Sequence, residues 1–302
     1  MGLLNKIEKP LFVVNPEANE RRALKRWKQI EYLLNRYNFE YDREFTKTRK
    51  EAVELIKHDE KHRKIIMVGG DGTADAGVEG IMQNDSEKIL GVIPTGIAND
   101  ISKTFDIYSN PDKLCYNISN GGVKEVDVGE VNGKYFLGFA SLGFDAMILK
   151  ERNRRRFLKG KLAYYTGGLR AFSKYTSKKM TIKVNGKEIN KNVFLMVISN
   201  IKHYAAGMKI APYAEPDDGL LDLCLIHGES NLGIVLRNLS LVYSGKHINN
   251  PETYYCQLKQ LEVLSEEPVL WEVNGEIVGE DTYFKFNLAN KRIKMLVQNE
   301  DL

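Results

Sequence analysis

Little in this sequence speaks for covalent or metal cross-linking. Its 302 residues include three cysteines, Cys115, Cys224 and Cys256, far apart and odd in number. That argues against a disulfide framework, offers no zinc spacing and predicts a reducing, cytoplasmic setting. Histidine is scarce, five in all. His58 and His62 stand four apart on a predicted helix end, a spacing that suits a metal pair, but Lys57, Asp59 and Lys61 around them read as a solvated face. No run of about 18 uncharged apolar residues occurs, so no transmembrane helix is expected. The longest apolar run, FLGFASLGFDAMIL (136–149), is short, glycine-rich and carries Asp145. The opening MGLLNKIEKP has charges where a signal peptide needs an apolar region and Lys6 where myristoylation needs Ser or Thr, so neither is expected. The net charge of +4 is too small to imply nucleic acid, and none is expected as a partner. Internal repeats and low-complexity segments are missing too. What is present is ordinary for a globular chain, 43% apolar and 28% charged, at a length comfortable for two domains.

The first half alternates strand and helix. LFVVN (11–15) reads as a buried strand, 20–37 as a helix with Leu24, Trp27, Ile30, Leu33 and Leu34 on one face, and KEAVELIK (50–57) as a second helix. KIIMV (64–68) runs into a glycine turn, AGVEGIM (76–82) continues as helix, and KILGVIP (88–94) is the next strand. This rhythm predicts an α/β domain with a parallel sheet, whose ligands sit beyond the carboxyl ends of the strands. Asn15, Gly69–Thr73 and Pro94–Asn99 all fall at such ends. The second half changes rhythm near 125–130. Asn132-Gly133, Asn185-Gly186 and Asn274-Gly275 each separate two strand-like runs, and NVFLMVIS (192–199) and LLDLCLI (220–226) add strands. An antiparallel sheet or β-sandwich is predicted, interrupted by one helical stretch over 154–175. RIKMLV (292–297) reads as a strand with no partner assignable from pattern.

The turn MVGGDGTADAG (67–77) is neither a Walker P-loop nor a Rossmann fingerprint. Glycines after a strand let backbone amides point at phosphate oxygens. Asp71 among them suits a phosphate site if a magnesium ion stands between carboxylate and phosphate. The alternative is a tight turn in which Asp71 caps the following helix.

GGDGT (69–73) followed by GVIPTGIAND (91–100) resembles the diacylglycerol-kinase-like lipid kinases, the family of bacterial diacylglycerol and other lipid kinases related to sphingosine and ceramide kinases. FVVNP (12–16), DVGEVNGKYFLGFASLGFDA (127–146), PYAEPDDGLLDLCLI (212–226) and VNGEIVG (273–279) extend the resemblance over nearly the whole chain. It implies a nucleotide-binding α/β domain over 1–126, joined by the C-terminal segment 288–302, and a β-sandwich domain over 127–287. It implies ATP and magnesium. Asn15 and Thr46 would touch the nucleotide, with Thr46 opening a helix. Gly69, Gly70, Gly72 and Thr73 would hold phosphates, Asp71 the catalytic magnesium, and Thr95, Gly96 and Asn99 would shape the far side of the cleft. Glu276 would be the general base toward a lipid hydroxyl, Asp127 its support, and Asp218 the holder of a second, structural magnesium. Read without the family, Asp127 begins a hairpin, Glu276 follows a turn, and Asp217-Asp218-Gly219 is simply a turn.

The sequence departs from the family pattern at Glu17-Ala18, at Asp75 and Ala76, at Ile97 and at Asn274. KERNRRRFLKGK (150–161) carries seven basic residues against one Glu, and with the apolar positions to Phe172 it reads as a basic amphipathic helix suited to transient contact with an anionic inner membrane face. A surface helix with its apolar stripe in the core fits the same pattern. The leading expectation is an ATP- and magnesium-dependent lipid kinase with a diacylglycerol-like acceptor, cytoplasmic and peripheral at the membrane. The alternatives are a kinase of a soluble, NAD-like hydroxyl compound and a non-catalytic nucleotide- or lipid-binding protein. A homodimer is compatible with all of them.

Overall fold

A computed structural model describes residues 9–298 apart from 97, 106, 108–109, 155–167, 169, 206 and 230–231. The chain divides into two compact units, Met1–Val126 with Lys291–Leu302, and Asp127–Asn290. The first is α/β with a mostly parallel sheet; the second is antiparallel β.

In unit 1 the buried run β1 (Leu11–Val14) is followed by α1 (Ala18–Arg36), β2 (Asp42–Phe45), α2 (Arg49–Lys57), β3 (Lys64–Gly69), α3 (Asp71–Met82) and β4 (Ile89–Pro94). Two short helices, α4 (Asp100–Thr104) and α5 (Pro111–Asn120), lead to β5 (Gly122–Val126). The six-stranded sheet has the order β2-β1-β3-β4-β15-β5. β15 (Ile293–Val297), the strand that pattern left without a partner, lies parallel to β4 and antiparallel to β5. Helix α1 buries Trp27 against Phe12 of β1 at 5.0 Å between centroids, with Tyr41 edge-on to Phe12 at 5.6 Å. The sequence periodicity of α1 is thus explained by one sheet face. Because the chain leaves β1 toward β2 on one side and reaches β3 on the other, the sheet has its switch point between β1 and β3, where such folds bind ligands.

In unit 2, β6 (Gly129–Val131), β7 (Lys134–Phe136) and β8 (Phe139–Gly143) precede α6 (Phe144–Asn153). β9 (Lys178–Val184), β10 (Lys187–Ser199), β11 (Leu221–His227), β12 (Thr253–Leu258), β13 (Gln260–Val273) and β14 (Glu276–Leu288) follow. β8 and β9 each pair with both β10 and β13, so these four strands close into a circuit. Inside it lies a core that includes Trp271, Phe284, Phe286 and Met196. The three Asn-Gly turns join β6–β7, β9–β10 and β13–β14, each Asn and Gly with positive φ, as a type I′ turn requires.

His62 departs from the solvated-face expectation. His58 is exposed beside Glu54, but His62 is buried: its Nδ1 lies 2.6 Å from Asp59 Oδ2 and its Nε2 2.9 Å from Asp42 Oδ2. Buried Lys88 donates to Asp59 Oδ1 at 2.8 Å and to the His62 carbonyl at 2.6 Å. The cluster ties together the starts of β2, β3 and β4, the sheet edge opposite the switch-point loops. Hydrogen bonds from Lys61 and His62 pull the Asp42 carboxyl down to about 2. Burial alone would raise Asp59, but Lys88 and His62 hold it below the ordinary value. Both acids bind fewer protons folded than unfolded, so their contribution is present above about pH 4 and is lost as pH falls toward 2. Lys88→Ala leaves Asp59 without its cation and is expected to cost about 3 kcal/mol in urea denaturation at pH 7, with a smaller penalty at pH 3.

Candidate functional site

The two glycine motifs interlock in unit 1. Gly69 ends β3 and accepts the Thr95 amide at 2.8 Å, tying the third strand's exit to the fourth's. Gly70 is the N-cap of α3, and a Cβ on it would meet the Gly96 Cα at 3.2 Å; one on Gly96 would meet the Gly70 Cα at 2.8 Å. Side chains here would force the two loops apart. Asn99 adopts φ 50° and closes its own loop, accepting from the Gly96 amide at 2.8 Å and donating to the Gly96 carbonyl at 2.9 Å.

Asp71 is the first residue of α3, not its cap. Its Oδ1 accepts from the Ile101 amide at 3.2 Å, so it holds the start of α4, one motif bonded to the other. Burial raises its carboxyl above the ordinary range and the charge of Asp100 raises it further, against the lowering effect of the amides of residues 101, 99 and 100. Two neighbouring carboxylates at the glycine turn are a donor set that fits magnesium, which takes one or two carboxylates and leaves its other positions to water and phosphate. Among the described residues no group of three or more His, Cys, Asp or Glu is placed to hold a metal by itself.

The remaining nucleotide candidates surround this lock. Asn15 follows β1; its amide reaches the Val68 carbonyl at 3.3 Å and its Oδ1 accepts from Glu17 at 3.2 Å. Thr46 is buried after β2 with its amide on the Val14 carbonyl at 3.0 Å. It does not open α2: Thr48 does, accepting from the Glu51 amide, while Glu51 Oε2 accepts from Lys47 at 2.7 Å. The helix cap thus lies two residues beyond the expected position, with Glu51 reaching back to the residue before the cap. Gly72 and Thr73 form the first turn of α3, and Thr95 is buried. Arg49 escaped sequence reasoning. It binds Glu79 through Nε at 3.2 Å and Nη2 at 2.8 Å and reaches the Gly72 carbonyl at 3.3 Å, clamping α2 to the glycine turn. Only the helix–helix contact reveals it.

Unit 2 holds the other acids. Asp127 is buried, with its amide on the Pro216 carbonyl at 2.6 Å, its Oδ2 accepting from the Gly219 amide at 2.8 Å and its carbonyl accepting from Asn200 Nδ2 at 2.8 Å. It lies between β5 and β6, locked to the turn that carries Asp218. Asp218 is exposed and accepts from the Leu220 amide at 2.9 Å and Gln257 Nε2 at 3.2 Å. Glu276 is exposed at the start of β14, after the turn formed by Asn274 and Gly275. Asn274 is bound to Phe139 twice, its amide to the carbonyl at 2.9 Å and its Oδ1 from the amide at 3.0 Å. Asn200 donates its amide to the Gly138 carbonyl at 2.9 Å. The Gly138–Phe139 segment therefore links the strand end bearing Asp127 to the hairpin bearing Glu276.

Deeper in unit 2, Glu272 is buried beside Asp145 and accepts from Ser141 at 3.0 Å, while Tyr204 donates to Asp145 Oδ2 at 2.7 Å. Burial, then the charge and hydrogen bond of Asp145, raise Glu272 well above its ordinary value, against the lowering influence of Ser141 and Arg152. Of the basic stretch 150–172, residues 155–167 and 169 lie outside the described residues. Lys150 pairs with Glu280 at 3.0 Å, and Arg154 with buried Glu151 at 2.8 Å. Among the described residues no helix is long and apolar enough to cross a membrane.

Residues 9–131 match the model of the diacylglycerol kinase catalytic domain, and residues 138–289 that of the YegS C-terminal NAD kinase beta sandwich-like domain. The chain is 28% identical over 217 residues to a diacylglycerol kinase of Bacillus subtilis (strain 168), covering 71% of each. It is 28% identical over 222 residues to one of Staphylococcus carnosus (strain TM300), covering 73% of this chain and 72% of that one. A putative diacylglycerol kinase from Bacillus anthracis str. Sterne shares the fold at TM-score 0.78 and 23% identity, over 98% of this chain and 99% of that one. An NAD kinase from Archaeoglobus fulgidus in complex with ATP does so at TM-score 0.57 and 14% identity, over 96% and 94%. The chain belongs to the diacylglycerol kinase family defined by these two domains.

The raised carboxyl of Glu272 gives a direct test. Above about pH 4.5 the unfolded chain releases a proton that the folded one keeps, so stability declines as pH rises. Glu272→Gln retains a donor toward Asp145 and an acceptor for Ser141 but cannot ionise. Thermal melts from pH 5 to about 9 are expected to show the variant gaining on the wild type with rising pH, by about 2–4 °C for each kcal/mol.

Proposed function

We propose that this member of the family is an ATP- and magnesium-dependent kinase that transfers the γ-phosphoryl group to a lipid hydroxyl, with a diacylglycerol-like acceptor. The observation that supports it most is the interlock of the GGDGT and PTGIAND loops at the carboxyl ends of β3 and β4, next to the switch point. The amides of Asp71 and Gly72 at the start of α3 would face an anion there, while Thr73 donates its amide to the Gly70 carbonyl at 3.0 Å. Asn15 and Thr46, after β1 and β2, complete the nucleotide side. Bound magnesium would neutralise phosphate charge; Asp71, with Asp100 beside it, would hold it, and Asp218 is the candidate for a second ion. In the transfer, the acceptor oxygen bonds to the γ-phosphorus as the bond to the β-phosphate oxygen breaks. Glu276 takes the hydroxyl proton, and ADP leaves. Asp127, held by Pro216, Gly219 and Asn200, supports that base. The basic segment 150–172 would supply transient contact with an anionic inner membrane face.

Incubation with labelled ATP, magnesium and mixed-lipid micelles is expected to put label in an extracted lipid. Label on NAD instead would favour the soluble-acceptor reading, to which the fold shared with an NAD kinase lends support. Nucleotide binding without transfer to any acceptor would favour a binding protein. Glu276→Gln is expected to lower kcat by about 10²–10⁴-fold while nucleotide binding stays intact; unchanged activity removes Glu276 as the base. Gly96→Ala is expected to do the reverse, weakening ATP binding in calorimetry by about tenfold or more, because its Cβ pushes against Gly70.

A further inference from the structure

Arg49 has no part in the chemistry assigned above, yet its guanidinium lies against the glycine turn. It opens α2, three residues after Thr46. Its Nε and Nη2 donate to Glu79 Oε2 at 3.2 and 2.8 Å, and its Nη1 donates to the Gly72 carbonyl at 3.3 Å. Gly72 and Glu79 stand seven apart in α3, two turns along one face, so one planar fork spans both. The Arg49 and Glu79 side chains are only 26% and 20% exposed, so their attraction is less screened than that of a surface pair.

The Gly72 carbonyl matters through the peptide it belongs to. The Gly72–Thr73 peptide is pinned at both ends, its carbonyl by Arg49 and its amide by the Gly70 carbonyl at 3.0 Å. Held in this way, the turn leaves the amides of Asp71 and Gly72 for an anion. Glycine has more backbone freedom than any other residue, so a bond from outside the helix restrains residue 72 where a side chain of its own cannot. The other end of the fork's support is equally fixed. Helix α2 follows the loop of Thr46, whose amide is held by the Val14 carbonyl at 3.0 Å, and it presses on α3 so closely that a Cβ on Gly80 would lie 2.7 Å from Ile56 Cβ. Arg49 therefore joins the two loops assigned to the nucleotide.

We propose that Arg49 is a positioning residue for the nucleotide, and that Glu79 keeps it on the Gly72 carbonyl. This rests on the reading of the glycine turn as the phosphate site and deepens it. The guanidinium acts through the turn, by fixing the peptide next to the two anion-facing amides. Its charge is matched by Glu79, so orientation of the turn is the larger contribution and charge the smaller.

The test is calorimetric titration of the full chain with magnesium and ATP. Arg49→Ala is expected to weaken the Kd about tenfold. Arg49→Lys, a point charge without the fork, is expected to recover only part of that loss. Glu79→Ala is expected to weaken ATP in the same direction, and the double variant no further than Arg49→Ala alone, because the pair acts as one unit. Thermal melts accompany each titration. A clamp with a structural role alone lowers Tm and leaves the Kd of the folded chain at the wild-type value, which overturns the inference. Full recovery by Arg49→Lys overturns it too, since charge would then be the whole effect. So does tighter binding by Glu79→Ala, which would mean that the released guanidinium binds phosphate directly. The kinase reading stands in all three cases. A wild-type chain that binds no ATP overturns the nucleotide-site reading and the inference together.

Discussion

The contact between Gly70 and Gly96 is the constraint on which the candidate nucleotide side depends. Two strand exits approach so closely that a Cβ on either glycine would press on the other's Cα, at 3.2 Å from Gly70 and 2.8 Å from Gly96. The bonds that secure the approach each join one motif to the other: Thr95 to Gly69 through the backbone, Asp71 to Ile101 through a side chain. Asp71 therefore does structural and electrostatic work with the same carboxyl. It anchors α4, and burial and the charge of Asp100 raise its carboxyl above the ordinary range, while Lys103 Nζ lies 3.6 Å from Asp100 Oδ1. A carboxylate among these glycines is in this sense explained by what lies across the loop, not by the helix it begins.

Unit 2 solves a different problem. Long bent strands close on themselves through β8 and β9, which places one apolar core inside the circuit and leaves polar side chains on the other face of β8 and β13. Ser141, Glu272, Asp145 and Tyr204 form a hydrogen-bonded set there, in which burial and Asp145 raise the Glu272 carboxyl well above its ordinary value. Further along the same strands the set gives way to Phe139, Asn274 and Glu276. The candidate base is thus carried on a hairpin whose root is fixed by buried hydrogen bonds, although Glu276 itself is exposed.

The departures from the family pattern have separate structural explanations. Asp75 and Ala76 are both buried in α3, where small or compact side chains fit under a helix pressed closely on α2 and the sheet. Glu17 is exposed in a turn that Asn15 closes with its own side chain. Ile97 lies outside the described residues. Asn274 has a structural task of its own, since its amide and its Oδ1 both bond Phe139.

Periodicity and turn chemistry made the two-domain α/β and antiparallel architecture legible, because strand–helix alternation, the 3.6-residue stripe of α1 and three Asn-Gly turns are local signals. The glycine motifs were legible for the same reason: a backbone that must approach closely announces itself by missing side chains. Other features were decided only by tertiary structure. The family resemblance placed Thr46 at a helix start, where Thr48 proved to be the cap, and local pattern left β15 without a partner, because strand pairing across the whole chain is non-local. His62 looked solvated among charges, yet Asp42 and Lys88, distant in sequence, bury and pair it. Asp71 pairing with Ile101, Arg49 with Gly72, and Asn200 with Asp127 each span a loop closure that no short window contains. Sequence alone determined which residues are candidates for the chemistry, because residue type and spacing are written locally. Tertiary structure decided what each one touches, because burial and hydrogen-bond partners arise only when distant segments meet.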